Sequence, residues 1–390
     1  MIKGKKDSLV YYVGDIGCPN TAKAIHGMNM SLLFNYLGYH VTCFCESWTH
    51  QKITSRNPLI EYKYVKRFFD NGKLSSLEWL IETLYGFKLF KLVKNDIKKK
   101  KPSYVVLYGF EGEKKLIKFC KKEKIPIILE RTDWFEKDDR INFINRNFIH
   151  PKVEKYMKKY DFYANGVIAI SKYLLDYYKS NECQAVQIPP VFEIDFKNKI
   201  VKTNNQYLTL VYSGSIAKSK DDILSLINAL LEINKKNIQI IFNIIGPTEK
   251  DLPSNLQNTN FSNYGIHFFG KMPNEEAKKI IKQADFSVLL RQNKKYSKAG
   301  FSTKMAESMS LGVPVICTKV GGSDTVITNM YNGILIENNE YQTLLNILYQ
   351  LLTLSKTQVN YLKNNAYKSS YNLFSIESNA KNLKKFLESL

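Results

Sequence analysis

The 390-residue chain has no apolar run near the ~18 residues that cross a bilayer, which excludes a helical membrane span. Its first residues, MIKGKKDSLVYYVG, lack the longer apolar segment and cleavage site of a signal peptide, so the cytoplasm is the expected location. The paired CxxC units of a zinc site are missing. The six cysteines (18, 43, 45, 120, 183, 317) are scattered and expected to be buried, reduced thiols, with Cys43 and Cys45 on one face of a strand. There is no low-complexity tract and no short-period repeat. A basic tail is missing too, although the net charge is +21. Residues 1–195 hold 33 Lys and Arg against 22 Asp and Glu, a surplus of 11; the remainder holds 24 against 14, a surplus of 10. A basic surface spread this evenly suits phosphates, an anionic membrane or RNA, or reflects only lysine-rich codon usage. No RNA-binding motif is visible, so nucleic acid is not an expected partner.

What is present is alternation. Hydrophobic residues make up 44% and charged residues 24%, enough for globular cores, and the length suggests two or three domains, two being simpler. SLVYYVG (8–14) reads as a strand and TAKAIHGMNMSLLFNYLGY (21–39) as a helix, with Ile25, Met28, Leu32, Leu33 and Tyr36 on its apolar side. HVTCFC (40–45) is the next strand. YVVLYGF, IPIILE and VIAIS are short apolar runs of the kind buried in parallel sheets. The pattern restarts at LTLVYSG (208–214), followed by the helix DDILSLINALLEINKK (221–236) and the strand IQIIFNIIG (238–246). IHFFGKM, FSVLLR, VPVICTK and GILIE continue it. The expected fold is α/β: two Rossmann-like, doubly wound parallel-sheet domains, 1–195 and 196–374, facing across a cleft. A proline-containing linker within 187–206 joins them, and a last helix, 375–390, packs back on the first domain. In such sheets ligands sit beyond the carboxyl ends of the strands.

Three loops at those ends hold unusual residues. GDIGCPNTAKAIHG (14–27) places Gly14 and Gly17 before a helix N-terminus, which serves either a close ligand approach or a plain tight turn. It is not GxGxxG. YSGSIAKSKDD (212–222) sets Gly214 and Ser215 before Lys218 and Lys220, a loop that holds a diphosphate or is simply solvated. SKAGFSTKMAESMSLGVPVICTKVGGSD (297–324) sets Gly300, Phe301, Ser302 and Thr303 at a helix start, with amides open to phosphate and sugar hydroxyls. Glu307 follows one turn later, either as a generic surface glutamate or as a carboxylate set to accept hydrogen bonds from vicinal ribose hydroxyls.

These stretches resemble the retaining GT-B glycosyltransferases of family 4 (glycosyl transferases group 1). Its signature is a glutamate, seven residues, a second glutamate, then a small-residue turn and a Pro-Val-Ile strand. Glu307 followed by SMSLGVPVICTKVGGSD matches the second half. YSGS with its lysines, VIAISKYLLDYY with IPPVF, and GDIGCPNTAKAIHG extend the likeness over nearly the whole chain. The resemblance implies that Glu307 binds the donor ribose and that Gly300, Phe301 and Ser302 meet sugar and phosphates. It further implies that Lys220 or Lys218 holds the diphosphate and Gly17 approaches the nucleotide sugar. Two positions depart from it: Ala299 stands for the first glutamate and Ser215 for the usual arginine. Arg291, at the end of FSVLLR, is a candidate for the missing charge. No cofactor is implied beyond a nucleoside-diphosphate sugar as co-substrate. No metal is expected, since no DxD-like carboxylate pair closes a strand.

The acceptor side is less legible. Asp133 and Glu136 in ERTDWFE (130–136), and His26 near the first glycine loop, are candidates there, with capping and packing as the alternatives. The expected acceptor is a glycan or lipid-linked saccharide, in cell-surface polysaccharide synthesis. Segment 62–101 mixes aromatics and lysines, which suits either a peripheral contact with an anionic membrane or a helix with its apolar side in the core. Two rival readings stand beside this one: a nucleotide-sugar epimerase on the same fold, and a non-catalytic nucleotide-sugar-binding relic.

Overall fold

Strand β1 (Leu9–Gly14) is buried along all six residues. A strand covered on both faces needs no polar side, so LVYYVG shows no alternation. At its end the backbone runs tight against Tyr108: a Cβ on residue 14 would stand 2.2 Å from the Tyr108 carbonyl oxygen, which requires Gly14. The computed structural model describes residues 8–14, 16–17, 21–47, 57–66, 86–109, 112–134, 147, 150–195, 200–214 and 221–390. They form two compact units, Met1–Glu193 with Ser375–Leu390, and Ile194–Phe374.

In the first unit β1 is followed by α1 (Ala22–Tyr36), β2 (His40–Ser47), β3 (Ile60–Lys66), α2 (Phe87–Lys99), β4 (Tyr104–Tyr108) and α3 (Glu113–Lys122). Then come β5 (Ile127–Arg131), α4 (His150–Lys155), β6 (Gly166–Ala169), α5 (Lys172–Ser180) and β7 (Ala185–Gln187). The strands pair in parallel in the order β3-β2-β1-β4-β5-β6-β7, so the winding reverses between β1 and β4. Cys43, Cys45 and Cys120 of this unit are buried and form no disulfide.

Helix α1 corrects the sequence reading. Leu33 is buried as expected, but Met28 and Tyr36 are 39% and 40% exposed, and Ile25 and Leu32 are only partly covered. The packed face instead carries Ala24, His26, Gly27, Asn29, Met30, Ser31 and Phe34. Small and polar residues are admitted there for specific reasons. Gly27 closes on Ile16, where a Cβ would be 2.6 Å from Cγ2. Ser31 Oγ donates to the Gly27 carbonyl at 2.7 Å, and the Thr21 hydroxyl caps the helix by accepting from the Ala24 amide.

Under β5 lies a buried ion group. Arg131 reaches both oxygens of Glu113, at 3.0 and 2.8 Å, and both oxygens of Asp161, at 2.7 and 2.8 Å. Tyr178 Oη donates to Asp161 at 2.7 Å. This bidentate geometry satisfies a charge that burial would otherwise penalise heavily.

The second unit repeats the plan with β8 (Leu208–Ser213), α6 (Leu224–Ile233), β9 (Ile240–Ile245), β10 (Ile266–Gly270), α7 (Asn274–Gln283) and β11 (Phe286–Leu289). It continues with α8 (Lys295–Ala299), α9 (Thr303–Ser310), β12 (Val315–Thr318), α10 (Ser323–Val326), β13 (Gly333–Ile336), α11 (Tyr341–Leu352) and α12 (Lys356–Phe374). All six strands are parallel, in the order β10-β9-β8-β11-β12-β13, with the reversal between β8 and β11. Its core joins Leu210, Tyr212, Phe242 and Phe286 of the sheet to Ile227 and Leu230 of α6 and Leu344 and Leu348 of α11. The last helix, α13 (Ile376–Glu388), belongs to the first unit and buries Ile376, Ala380, Leu383, Phe386 and Leu387 in its core. Gly166 permits this, since a Cβ there would stand 2.6 Å from the Phe386 ring.

Replacing Arg131 with Met leaves Glu113 and Asp161 buried without their cation. Urea unfolding should show the first unit weakened by about 3–5 kcal/mol. A loss under about 1 kcal/mol would mean that the ion group does not hold this end of the sheet together.

Candidate functional site

Parallel strands all present their carboxyl ends at one edge, and the place where the winding reverses leaves an opening there. In the second unit that place lies between β8 and β11. β8 ends at Gly214, where a Cβ would stand 2.0 Å from Lys304 Nζ. β9 leads into Gly246 at φ +108°, pressed on the Gly214 carbonyl oxygen, 1.9 Å from where a Cβ would be. β11 leads into Arg291, whose amide donates to Thr318 Oγ1 at 2.9 Å while that hydroxyl donates back to the Arg291 carbonyl at 2.8 Å. This exchange ties the ends of β11 and β12 together.

Three charged groups meet at this edge. The Asp221 side chain is 1% exposed; its Oδ2 accepts from Lys304 Nζ at 2.6 Å and from Tyr212 Oη at 3.2 Å. Arg291 Nε lies 3.6 Å from Asp221 Oδ1, too long for a hydrogen bond. Lys304 Nζ also stands 4.7 Å from the centre of the Tyr212 ring. Burial, and next the Asp221 charge, raise the Tyr212 phenol far above its ordinary pKa, so it stays a hydrogen-bond donor.

Helix α9 starts beside this group. Ser302 caps it, its hydroxyl accepting from the Met305 amide at 3.3 Å. Met305, Ala306 and Met309 face the core, and Phe301 meets Phe374 at 5.6 Å between ring centres. A small cavity opens between Arg291, Phe301, Ser302, Thr318 and Gly321. Glu307 is half-buried one turn into the helix, and its carboxylate has no hydrogen-bond partner among the described residues. Burial raises its pKa, Lys278 of α7 works against this, and Glu275 adds to it. A half-buried carboxylate without partners is fitted to accept hydroxyl donors, and two cations beside a helix start are fitted to an anion.

The structure thus gathers Gly214, Arg291, Gly300, Phe301, Ser302 and Thr303 at one edge, with Glu307 a turn beyond. Ala299 closes α8 with its methyl fully buried. Ser215, Lys218, Lys220 and Glu136 lie outside the described residues. Asp221, Lys304, Tyr212 and Thr318 were not singled out by sequence reasoning. The one available signal was the acidic pair Asp221–Asp222 after a lysine-rich loop.

In the first unit His26 is not a surface residue. Its Nε2 is hydrogen-bonded to Glu130 Oε1, whose other oxygen accepts from Tyr12 Oη, and its ring lies 5.2 Å from that of Tyr108. Glu130 and His26 are 3% and 6% exposed. Asp133 is exposed, with Thr132 Oγ1 3.3 Å from it. Gly17 is packed under the end of β2, where a Cβ would meet the Glu46 carbonyl oxygen at 2.0 Å.

Residues 193–369 match the model of the family described as glycosyl transferases group 1. An uncharacterized glycosyltransferase of Methanocaldococcus jannaschii, MJ1069, is 25% identical over 239 residues, 58% of this chain and 59% of that protein. The match therefore spans less than two thirds of that relative. Among solved structures, the sucrose-phosphate synthase of Thermosynechococcus elongatus superposes with a TM-score of 0.74 at 15% identity, covering 98% of both chains. Anabaena HepE in complex with UDP and glucose gives 0.66 at 15% identity, over 98% of this chain and 99% of that one. The lipopolysaccharide outer core galactosyltransferase WaaB gives 0.63 at 14%, with the same coverage. At such identities these three likenesses speak for the fold, two parallel-sheet α/β domains of the GT-B kind. The edge that holds Asp221, Arg291, Lys304 and Glu307 lies wholly within residues 193–369, the part of the chain that matches the glycosyl transferases group 1 model.

Proposed function

We propose that the protein moves a sugar, with retention, from a nucleoside-diphosphate sugar to a glycan or lipid-linked acceptor in the building of cell-surface polysaccharide. Glu307 carries this reading: its carboxylate stands without a hydrogen-bond partner among the described residues, half-buried, one turn from a helix start where Lys304 and Arg291 meet. Two vicinal ribose hydroxyls donating to it would supply what the fold leaves open. Gly300, Phe301, Ser302 and Thr303 would meet the sugar and phosphates, and Lys218 and Lys220 the diphosphate. Arg291 would add the charge that Ser215 does not bring. With side-chain cations on the diphosphate, no metal ion is required in this scheme. HepE is a structure with bound UDP, which makes a uridine donor the first to try.

In this scheme the departing diphosphate acts on the same face as the incoming hydroxyl, so retention needs no protein nucleophile. On the acceptor side His26, fixed by Glu130, and exposed Asp133 are the candidates to receive a hydroxyl. A peripheral membrane position accounts for the outward lysines of α2: Leu89, Val93 and Ile97 are buried, while Lys98, Lys99, Lys100 and Lys101 are exposed. No helix among the described residues is long and apolar enough to cross a membrane.

Three measurements test the reading. Release of nucleoside diphosphate from a panel of UDP-, GDP-, dTDP- and ADP-sugars should succeed with one donor. Glu307→Gln should cut kcat/KM for that donor by about 100-fold, the loss of roughly two hydrogen bonds to a charged group. Because the folded pKa of Glu307 is raised, its ionisation destabilises the protein as pH climbs from the ordinary carboxylate range through that raised value. Glu307→Gln should therefore melt higher than wild type at pH 7 and level with it at pH 3. Turnover intact in Glu307→Gln would end the ribose assignment. For the membrane position, changing Lys98–Lys101 to Gln should abolish sedimentation with phosphatidylserine vesicles in ~0.1 M salt; equal sedimentation of both proteins would dismiss that surface.

A further inference from the structure

Lys304 is placed with unusual care for a lysine in the first turn of a helix. Its side chain is one-third exposed, yet Nζ does not extend into solvent but lies over the glycine that closes β8. Asp221 keeps it there, with Tyr212 bonded to the same carboxylate oxygen and also 3.3 Å from Nζ. A side chain at 214 would occupy the same space, 2.0 Å from Nζ. Gly214, Asp221 and Lys304, up to 90 positions apart in the chain, thus fix one ammonium group at the reversal between β8 and β11.

The electrostatics are incomplete without an anion. Lys304 and Arg291 share the single charge of Asp221, so this ion-paired trio holds a surplus positive charge. Asp221 Oδ1 and Arg291 Nε are buried and make no hydrogen bond among the described residues. A fold that needed only a salt bridge would pair these atoms directly. Their 3.6 Å separation leaves Arg291 Nε without a hydrogen bond among the described residues, in a side chain that lines a cavity with Ser302 and Thr318.

We infer that Lys304 is a direct contact of the donor's diphosphate, and that Asp221 is the positioning residue that holds it over Gly214. The inference rests on the donor reading above. As the C1–O bond to the diphosphate breaks, its electron pair passes to the phosphate oxygen and the diphosphate gains one negative charge. The acceptor oxygen forms the new C1–O bond, and its proton leaves on the diphosphate. An ammonium already fixed beside that oxygen stabilises the growing charge without reorganising.

The test is equilibrium binding of UDP, GDP, dTDP and ADP, and of the matching monophosphates, to the full chain. For the nucleotide that binds wild type, Lys304→Met should weaken the diphosphate roughly 10- to 100-fold and the monophosphate by less than about threefold. Lys304→Arg should recover part of the difference. Asp221→Asn, which frees the lysine without discharging it, should lower the diphosphate-to-monophosphate preference less than Lys304→Met does. A purely structural pair would weaken both nucleotides alike, so an unchanged preference in folded Lys304→Met overturns the inference and leaves the donor reading standing. If none of the four binds wild type, the donor reading falls and takes the inference with it.

Discussion

The buried charge of Asp221 is the constraint from which the rest of the second unit's working edge follows. One carboxylate, almost without solvent, faces an ammonium from α9 and a guanidinium from the end of β11. Removing water from such a group is costly, and it persists because two cations and a phenol surround it. In exchange it draws the start of α9 against the end of β8. Gly214 and Gly246 then become necessary, since any Cβ would collide with Lys304 or with the neighbouring backbone.

The same economy of backbone recurs in the first unit. Gly14 allows β1 to end against Tyr108, Gly17 itself packs against the Glu46 carbonyl in β2, and Gly27 allows α1 to close on Ile16. These three glycines hold backbone against backbone or core, with no ligand needed to account for them. Tyr12, Glu130 and His26 form a buried polar chain that fixes one imidazole. Such chains are retained only when every member finds a partner, which makes His26 a rigid group instead of a mobile surface base.

How much of this could be read beforehand depended on distance along the chain. Strands such as LVYYVG and YVVLY announced themselves because burial on both faces leaves an unbroken apolar run. Glu307 was visible because it is a lone acid among small residues at a helix start. The face of α1 was misjudged because its packing depends on Gly27, Asn29 and Ser31, which no apolar count would select. Asp221 and Lys304 are 83 residues apart, and His26 and Glu130 are 104 apart, so neither pairing has a local signature. In a chain with 57 basic residues, one lysine with a designated partner looks like any other.

The central claim is that a nucleoside diphosphate sits at the carboxyl edge of the second sheet, gripped from phosphate to ribose by α9 and the Asp221 group. A crystal structure with bound nucleoside diphosphate tests it most directly. The account predicts a phosphate oxygen within hydrogen-bond reach of Lys304 Nζ and of the amides at Ser302 and Thr303, and both ribose hydroxyls on Glu307. A nucleotide bound away from β8 and α9, with Glu307 still unpartnered, would contradict it.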